Sequence, residues 1–215
     1  MKKRNKIKLS SEKDDTIILL GGSFNPIHLG HLKMAESAYK QYLHPIVLLP
    51  NKSTYYKDNS SFASDEDRLN MLELVCDEND FLYYSDIEII RGGVTHTVDT
   101  VRELKKAGFK TIYFIIGGDS LKWVDKWVDA DELLESAVFL SAVRGETDKD
   151  SSAQIISRIK KEHPLSDIRL LDMNDTPISS SDIREKVSDG KSIKGLVCDS
   201  IERYIAENKL YKNNN

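Results

Sequence analysis

Two histidines three residues apart, with a glycine between them, are the first side chains in this sequence whose spacing could do chemistry. They close the stretch Gly21-Gly22-Ser23-Phe24-Asn25-Pro26-Ile27-His28-Leu29-Gly30-His31. The leading glycines let backbone approach a ligand closely, and Pro26 stiffens the loop. Helical periodicity starts at Leu29, so His28 and His31 stand at a helix start and project in similar directions. Such an N-terminus offers unpaired N–H groups and the positive end of a dipole to an anion. Two imidazoles there add donors without the bulk of lysine, and Gly30 is expected to leave room for a phosphate or a base. The alternatives are a plain turn with two satisfied histidines, or a zinc pair. Zinc lacks an obvious third ligand here, and the glutamate of an H-E-x-x-H helix is missing.

A second cluster is Ile178-Ser179-Ser180-Ser181-Asp182-Ile183-Arg184. Three hydroxyls and their amides open a helix, and Arg184 follows within its first turn. Hydroxyls, N–H groups and a guanidinium together suit triphosphate oxygens. Alone, the segment would read as a serine N-cap with a surface arginine. Downstream of H-x-G-H it reads as a second phosphate clamp.

The elements that must position these groups follow from the apolar pattern. Continuous apolar runs at Thr16–Leu20, Pro45–Pro50, Thr111–Ile116 and Ala137–Val143 predict strands buried on both faces. Shorter strands are expected at Leu82–Tyr84, Ile87–Ile90 and Ile168–Leu171. Helical spacing is read from Leu29 to Leu43, from a capping box at Ser64 through Val75, and over Val98–Lys106, Asp131–Glu135 and Ala153–Lys161. Two more helices, near Asp182–Ser188 and Val197–Asn208, end the chain. Strands alternating with helices predict βαβ units: an α/β, Rossmann-like, mostly parallel sheet with helices on both faces and a helical C-terminal end. Ligands bind beyond the carboxyl ends of such strands. That places the chemistry at Gly21–His31, Pro50–Lys57, Gly117–Asp119 and the turn before Asp182.

Composition narrows the class further. The 215 residues fit one domain, expected over 16–212, behind a basic arm at 1–15 that is expected to be disordered. Lys plus Arg is 31 and Asp plus Glu is 35, a net charge of −4, which argues against a general nucleic-acid binder. Five of the basic residues lie in the first eight positions, leaving 26 against 35, or −9, for the rest. The arm reads as a solvated tail, or as a tether to a polyanion or membrane. No apolar run reaches the roughly 18 residues of a transmembrane helix. Cys76 and Cys198 are too few for a disulfide framework. A reduced, cytoplasmic protein is expected.

Both clusters, in this order, resemble the H-x-G-H nucleotidyltransferase superfamily, and within it the bacterial nicotinate-nucleotide adenylyltransferases. The likeness spans roughly 16–212 and includes Arg91-Gly92-Gly93, Thr95-His96-Thr97, Asp99-Thr100, Gly117-Gly118-Asp119-Ser120, Lys126-Trp127, Arg144-Gly145 and the ending Leu210-Tyr211. It implies transfer of AMP from ATP to nicotinate mononucleotide, giving deamido-NAD and pyrophosphate, with Mg²⁺ carried on the ATP phosphates and no metal site of the protein's own. Catalysis falls by resemblance to His28, His31, Lys57 and Arg184. ATP contacts fall to Gly22, Ser23, Phe24, His28, His31, Gly117, Asp119, Ser179, Ser180 and Arg184. The mononucleotide side comprises Ser23, Asn25, Lys57, Thr95, His96, Thr97, Asp119, Trp127 and Arg144, with Trp127 stacking on the pyridine ring. Trp127 could instead be core, and Asp119 could instead cap the next helix. Two stretches depart from the family: Thr54-Tyr55-Tyr56-Lys57 replaces Pro-Pro-His-Lys, and Thr95-His96-Thr97 replaces Ser-Tyr-Thr. The resemblance implies ATP and nicotinate mononucleotide as partners, no nucleic acid and no membrane, and admits a homo-oligomer. Rival readings are adenylylation of nicotinamide mononucleotide or phosphopantetheine, and a non-catalytic nucleotide-binding regulator on the same fold.

Overall fold

The computed structural model describes residue 6 and residues 15–53, 63–173 and 177–212; for 144–148 and 172 it describes the backbone alone. In chain order the elements are β1 (Thr16–Gly22), α1 (Leu29–Tyr42), β2 (Ile46–Pro50), α2 (Asp65–Glu78), β3 (Leu82–Tyr84), α3 (Ile87–Arg91), α4 (Thr97–Lys106) and β4 (Thr111–Gly117). Then come α5 (Gly118–Leu121), a 3-10 turn (Val124–Lys126), α6 (Ala130–Ser136), β5 (Val138–Arg144), α7 (Gly145–Glu162), β6 (Asp167–Met173), α8 (Ser180–Ser188) and α9 (Asp199–Glu207).

Among the described residues the strands form one sheet in the order β3-β2-β1-β4-β5-β6, every pair parallel. The apolar runs are continuous because both faces are covered. On one face Ile18, Leu20, Ile46 and Leu48 meet Ala35 and Ala38 of α1, Met71 and Leu72 of α2, Ile183 of α8, and Ile201 and Ile205 of α9. On the other, Ile17, Leu19, Val47 and Leu49 meet Val98, Val101 and Leu104 of α4, Leu133 and Leu134 of α6, and Ile159 of α7. Strand order reverses direction between β1 and β4. There the chains leaving the two strands turn to opposite faces and open a crevice at the carboxyl edge. Among the described residues no helix is long and apolar enough to cross a membrane. Of the basic arm, Lys6 bridges to Tyr84 beside β3 and pairs its ammonium with Asp86.

One expected strand is a helix. Ile87–Arg91 forms α3, not an extended segment. As a helix it sets Glu88 and Arg91 on one face, three residues apart. Thr100 Oγ1 of α4 donates to Glu88 Oε1 at 2.6 Å, and Arg91 donates to Thr100 Oγ1 at 2.8 Å and to Glu103 at 3.0 Å. These bonds close α3 and α4 into a hairpin whose tip, residues 92–96, reaches the crevice. A strand would have split Glu88 from Arg91 and left the buried carboxyl without its network.

Glu88 is 3% exposed. Burial pushes its carboxyl up to about 7 from 4.5, although the Thr100 hydrogen bond and the Arg91 charge pull the other way. The native state therefore keeps a proton that the unfolded chain releases between those two values. Stability should fall as pH rises through that window and level off above it. Glu88→Gln cannot ionise and should lack this slope. Urea unfolding at about pH 5 and about pH 8 should show the variant gaining on the parent at the higher pH. Parallel pH profiles for the two chains would refute the buried-acid account.

Candidate active site

The crevice beyond β1 and β4 is a cleft of about 480 Å³. Its first wall is the β1–α1 loop. Gly21 is required there by space: a Cβ would stand 2.7 Å from the Phe114 ring. Phe24 takes a left-handed backbone at φ 45° with its ring buried, and the Asn25–Pro26 peptide is cis. The loop has no ladder to join, so its carbonyls are met by groups from elsewhere. Asn51 N–H donates to Gly22 O and carries the β1–β2 ladder one step past Pro50; beyond it, Arg68 Nη1 donates to Ser23 O at 2.8 Å, Arg184 Nη1 to Asn25 O at 2.9 Å, and Ser180 Oγ to Pro26 O at 2.9 Å. Arg68 is 1% exposed; Asp65 balances it at 2.7 Å and is paired in turn with Lys52.

His28 caps α1 while His31 occupies the third position of that helix. His31 N–H donates to His28 Nδ1 and His28 N–H donates to His31 Nδ1, each at 3.3 Å, so the two rings form a reciprocal capping box. The rings stack with centroids 3.7 Å apart. With both Nδ1 atoms accepting, this hydrogen-bond pattern assigns the proton of each neutral imidazole to Nε2. A Cβ at Gly30 would lie 3.0 Å from Cε1 and Nδ1 of His28, so this glycine makes room for the His28 imidazole as well as lining the cleft.

The second wall is the start of α8. Ser179 caps it, accepting from Asp182 N–H at 3.1 Å. Ser179, Ser180, Ser181 and Arg184 line the cleft opposite the histidines. The two clusters read from sequence therefore meet, and they are bonded to each other through Ser180 and Arg184.

The third wall holds Gly117, Asp119 and Trp127 from the β4 side, and Thr95, His96, Thr97 and Glu88 from the α3–α4 hairpin. Asp119 is not a helix cap: the cap position of α5 is Gly117, with no side-chain bond. Its carboxylate is nearly fully exposed and pairs with Lys122 at 3.0 Å. Trp127 is half-buried and set edge-on to Phe139, with centroids 6.2 Å apart. Lys52 N–H donates to Thr95 Oγ1, and Thr95 N–H donates to Ser53 O, which ties the hairpin tip to the end of β2.

Asn25 lines the cleft but is 1% exposed; its Oδ1 accepts from Ala63 N–H at 2.9 Å and from Tyr211 Oη at 2.8 Å. Lys57 lies outside the described residues, and so does the side chain of Arg144, the last residue of β5. Sequence reasoning missed Arg68, Glu88, Asn51 and the strut made by Tyr211. A charged residue inside an otherwise apolar helix repeat, as at Arg68 beside Leu69 and Leu72, is the one signal that could have exposed a buried role.

Comparison with known proteins agrees with this geometry. The family model for cytidylyltransferase-like proteins matches residues 19–186. The chain is 38% identical, over 90% of its own length and 97% of the relative's, to the "probable nicotinate-nucleotide adenylyltransferase" of Lachnoclostridium phytofermentans. It is 36% identical to the protein of the same name from Thermoanaerobacter sp., over 94% and 96% of the two chains. Among solved structures it shares the fold of Plasmodium falciparum nicotinic acid mononucleotide adenylyltransferase complexed with NaAD. That match has a TM-score of 0.74 and 22% identity, covering 91% of this chain and 97% of the other. The chain belongs to the cytidylyltransferase-like family, on its nicotinate-nucleotide adenylyltransferase branch.

Proposed function

We propose that this protein transfers AMP from ATP to nicotinate mononucleotide, releasing pyrophosphate and forming deamido-NAD, in the cytoplasm. The observation that carries this reading is the meeting of the H-x-G-H cap and the Ser179–Arg184 helix start across one cleft, with Trp127 on its far wall. The triphosphate lies between the two helix starts. His28 and His31 donate to it through Nε2–H, and the amides at Ser179 and Ser180 and the guanidinium of Arg184 meet it from the other side. Gly22, Ser23 and Phe24 supply backbone that ATP packs against, and Gly117 and Asp119 stand where ribose hydroxyls bind. Ser23, Asn25, Thr95, His96, Thr97 and Trp127 face the mononucleotide, and Lys57 and Arg144 contribute positive charge to it.

The 5′-phosphate of the mononucleotide attacks the α-phosphorus of ATP in line. A new P–O bond forms as the bond to the bridging oxygen of the β-phosphate breaks, and pyrophosphate departs with that electron pair. A phosphate dianion is already nucleophilic, so the residues need only align it and neutralise charge. Mg²⁺ takes hard oxygen donors and keeps several of its waters. The hydroxyls and the exposed carboxylate of this cleft fit an ion that arrives on phosphate oxygens. When bound, it supplies further neutralisation of the triphosphate.

His31→Ala should lower turnover by about 10²–10³ while the fold persists, since one donor aimed at the developing charge is removed. Pyrophosphate release and thermal melting, measured together, test this; near-normal turnover would end the assignment. Trp127→Ala should raise KM for the mononucleotide well above its effect on KM for ATP, because stacking on an aromatic contributes roughly 1–3 kcal/mol. Equal effects would return Trp127 to the core. Pyrophosphate release with ATP, Mg²⁺ and each of nicotinate mononucleotide, nicotinamide mononucleotide and phosphopantetheine separates the substrates. Activity with phosphopantetheine alone would overturn the reading, and silence with all three would favour a nucleotide-binding regulator.

A further inference from the structure

Trp127 sits at the lip of the cleft on a short, irregular segment, where an indole is hard to hold. It follows the 3-10 turn Val124–Lys126, and its own N–H reaches Val124 O only at 3.3 Å. Two features of that segment are costly in isolation. The Asp125 side chain is wholly inaccessible to solvent, and a lone buried carboxylate is strongly unfavourable. Asp129 takes a left-handed backbone at φ 49°, which a residue with a Cβ adopts at a cost.

Each feature is held by an arginine from a different helix. Arg158 of α7 donates to both Asp125 oxygens, at 2.6 and 3.4 Å. Arg102 of α4 donates to Asp129 at 2.7 Å, and also pairs with Asp99 and Glu132. We infer that Arg158, through Asp125, is a positioning residue that fixes the Trp127 ring for the pyridine end of the substrate, with Arg102 as a weaker second hold. The inference rests on the stacking reading of Trp127 given above.

Burial decides which arginine matters more. Arg102 and Asp129 are about four- and five-tenths exposed, a setting in which ion pairs contribute little and are screened by salt. Asp125 is fully enclosed and meets two cations, Arg158 of α7 and its neighbour Lys126 Nζ at 3.3 Å; only Arg158 ties it to another helix, so losing Arg158 frees the turn from α7 and leaves the enclosed carboxylate with Lys126 alone. The turn is thus fastened by Val124 in the apolar core and by Asp125 on α7. Phe139 is left as the edge against which the indole settles. Of this segment Trp127 and its neighbour Val128 line the cleft, and neither arginine does, so a change at Arg158 reaches substrate through the segment that carries the ring.

The test has a kinetic arm and a spectroscopic arm. Arg158→Gln should raise KM for nicotinate mononucleotide about fivefold or more, with KM for ATP and kcat within about twofold of the parent. Arg158→Lys should recover part of the loss, because lysine can pair with Asp125 but not through two bonds. In a Trp127→Ala background, Arg158→Gln should add nothing. Additive effects, or an equal rise in KM for ATP, would overturn the inference. In a Trp123→Phe chain, where Trp127 is the only tryptophan, Arg158→Gln should increase acrylamide quenching. Unchanged quenching would overturn the clamp whatever the kinetics. If quenching rises but Trp127→Ala leaves KM for the mononucleotide untouched, the clamp stands and the stacking reading falls. Should Arg158→Gln unfold, the pair Asp125→Asn/Arg158→Gln removes both charges together and faces the same measurements.

Discussion

The site depends on a loop that cannot satisfy itself. Between β1 and α1 the backbone leaves the sheet before the helix begins, and its carbonyls face neither water nor a neighbouring strand. Buried acceptors of this kind must be met. Those of Ser23, Asn25 and Pro26 are met by Arg68, Arg184 and Ser180, from positions as far apart as α2 and α8. Tyr211, near the end of the chain, completes the bracing by reaching Asn25 across 186 residues of sequence. Contacts from Asn51, α2, α8 and Tyr211 brace the loop from four other parts of the chain. The reciprocal histidine cap stands at the end of this braced loop, and holding groups in place is how positioning lowers a barrier.

This wiring also explains how an acidic protein can hold a triphosphate. The chain carries a net −4, so attraction cannot come from its overall field. At physiological salt the Debye length is about 8 Å, and charge inside that distance dominates. Two helix starts, the paired imidazoles and Arg184 are gathered within one cleft. Arg184 serves twice, since the guanidinium that grips Asn25 O is also the cation facing the cleft. A fork with five donors can do both at once, where an ammonium would have to choose.

Much of this was readable in the sequence, and the rest was hidden for physical reasons. Doubly buried strands announce themselves as continuous apolar runs, so β1, β2, β4 and β5 were each expected within a residue or two of their ends. The histidine pair and the Ser179–Arg184 helix start were legible because their roles come from local spacing. Ile87–Arg91 misled because a short apolar run has no period of its own. What made it a helix was Glu88 meeting Thr100 and Arg91, a choice settled by tertiary contact. Arg68 and Tyr211 were silent for the same reason: their partners lie 45 and 186 residues away. Gly30 is legible as a need for space, and the fold adds that the His28 ring takes part of it.

The two ends of the cleft are held by different physics, and this bears on how the family can change substrate. The histidine end is braced through main-chain carbonyls of the loop, which exist whatever side chains the loop carries. A substitution there leaves those carbonyls in place unless it crowds Gly21 against Phe114 or removes Asn25, Arg68, Ser180 or Arg184. The Trp127 end is held by side chain against side chain: Asp125 on Arg158, Asp129 on Arg102, and Glu88 on Thr100 and Arg91. Those pairs can be exchanged one at a time without touching the loop that aligns the phosphates. A Thr95-His96-Thr97 turn in place of the family's usual triplet is therefore tolerable: the hairpin tip keeps its backbone through Thr95 and Ser53 while its side chains vary. Variation in substrate should concentrate at that end, and the phosphate end should resist it, because one is tied by replaceable pairs and the other by the backbone itself.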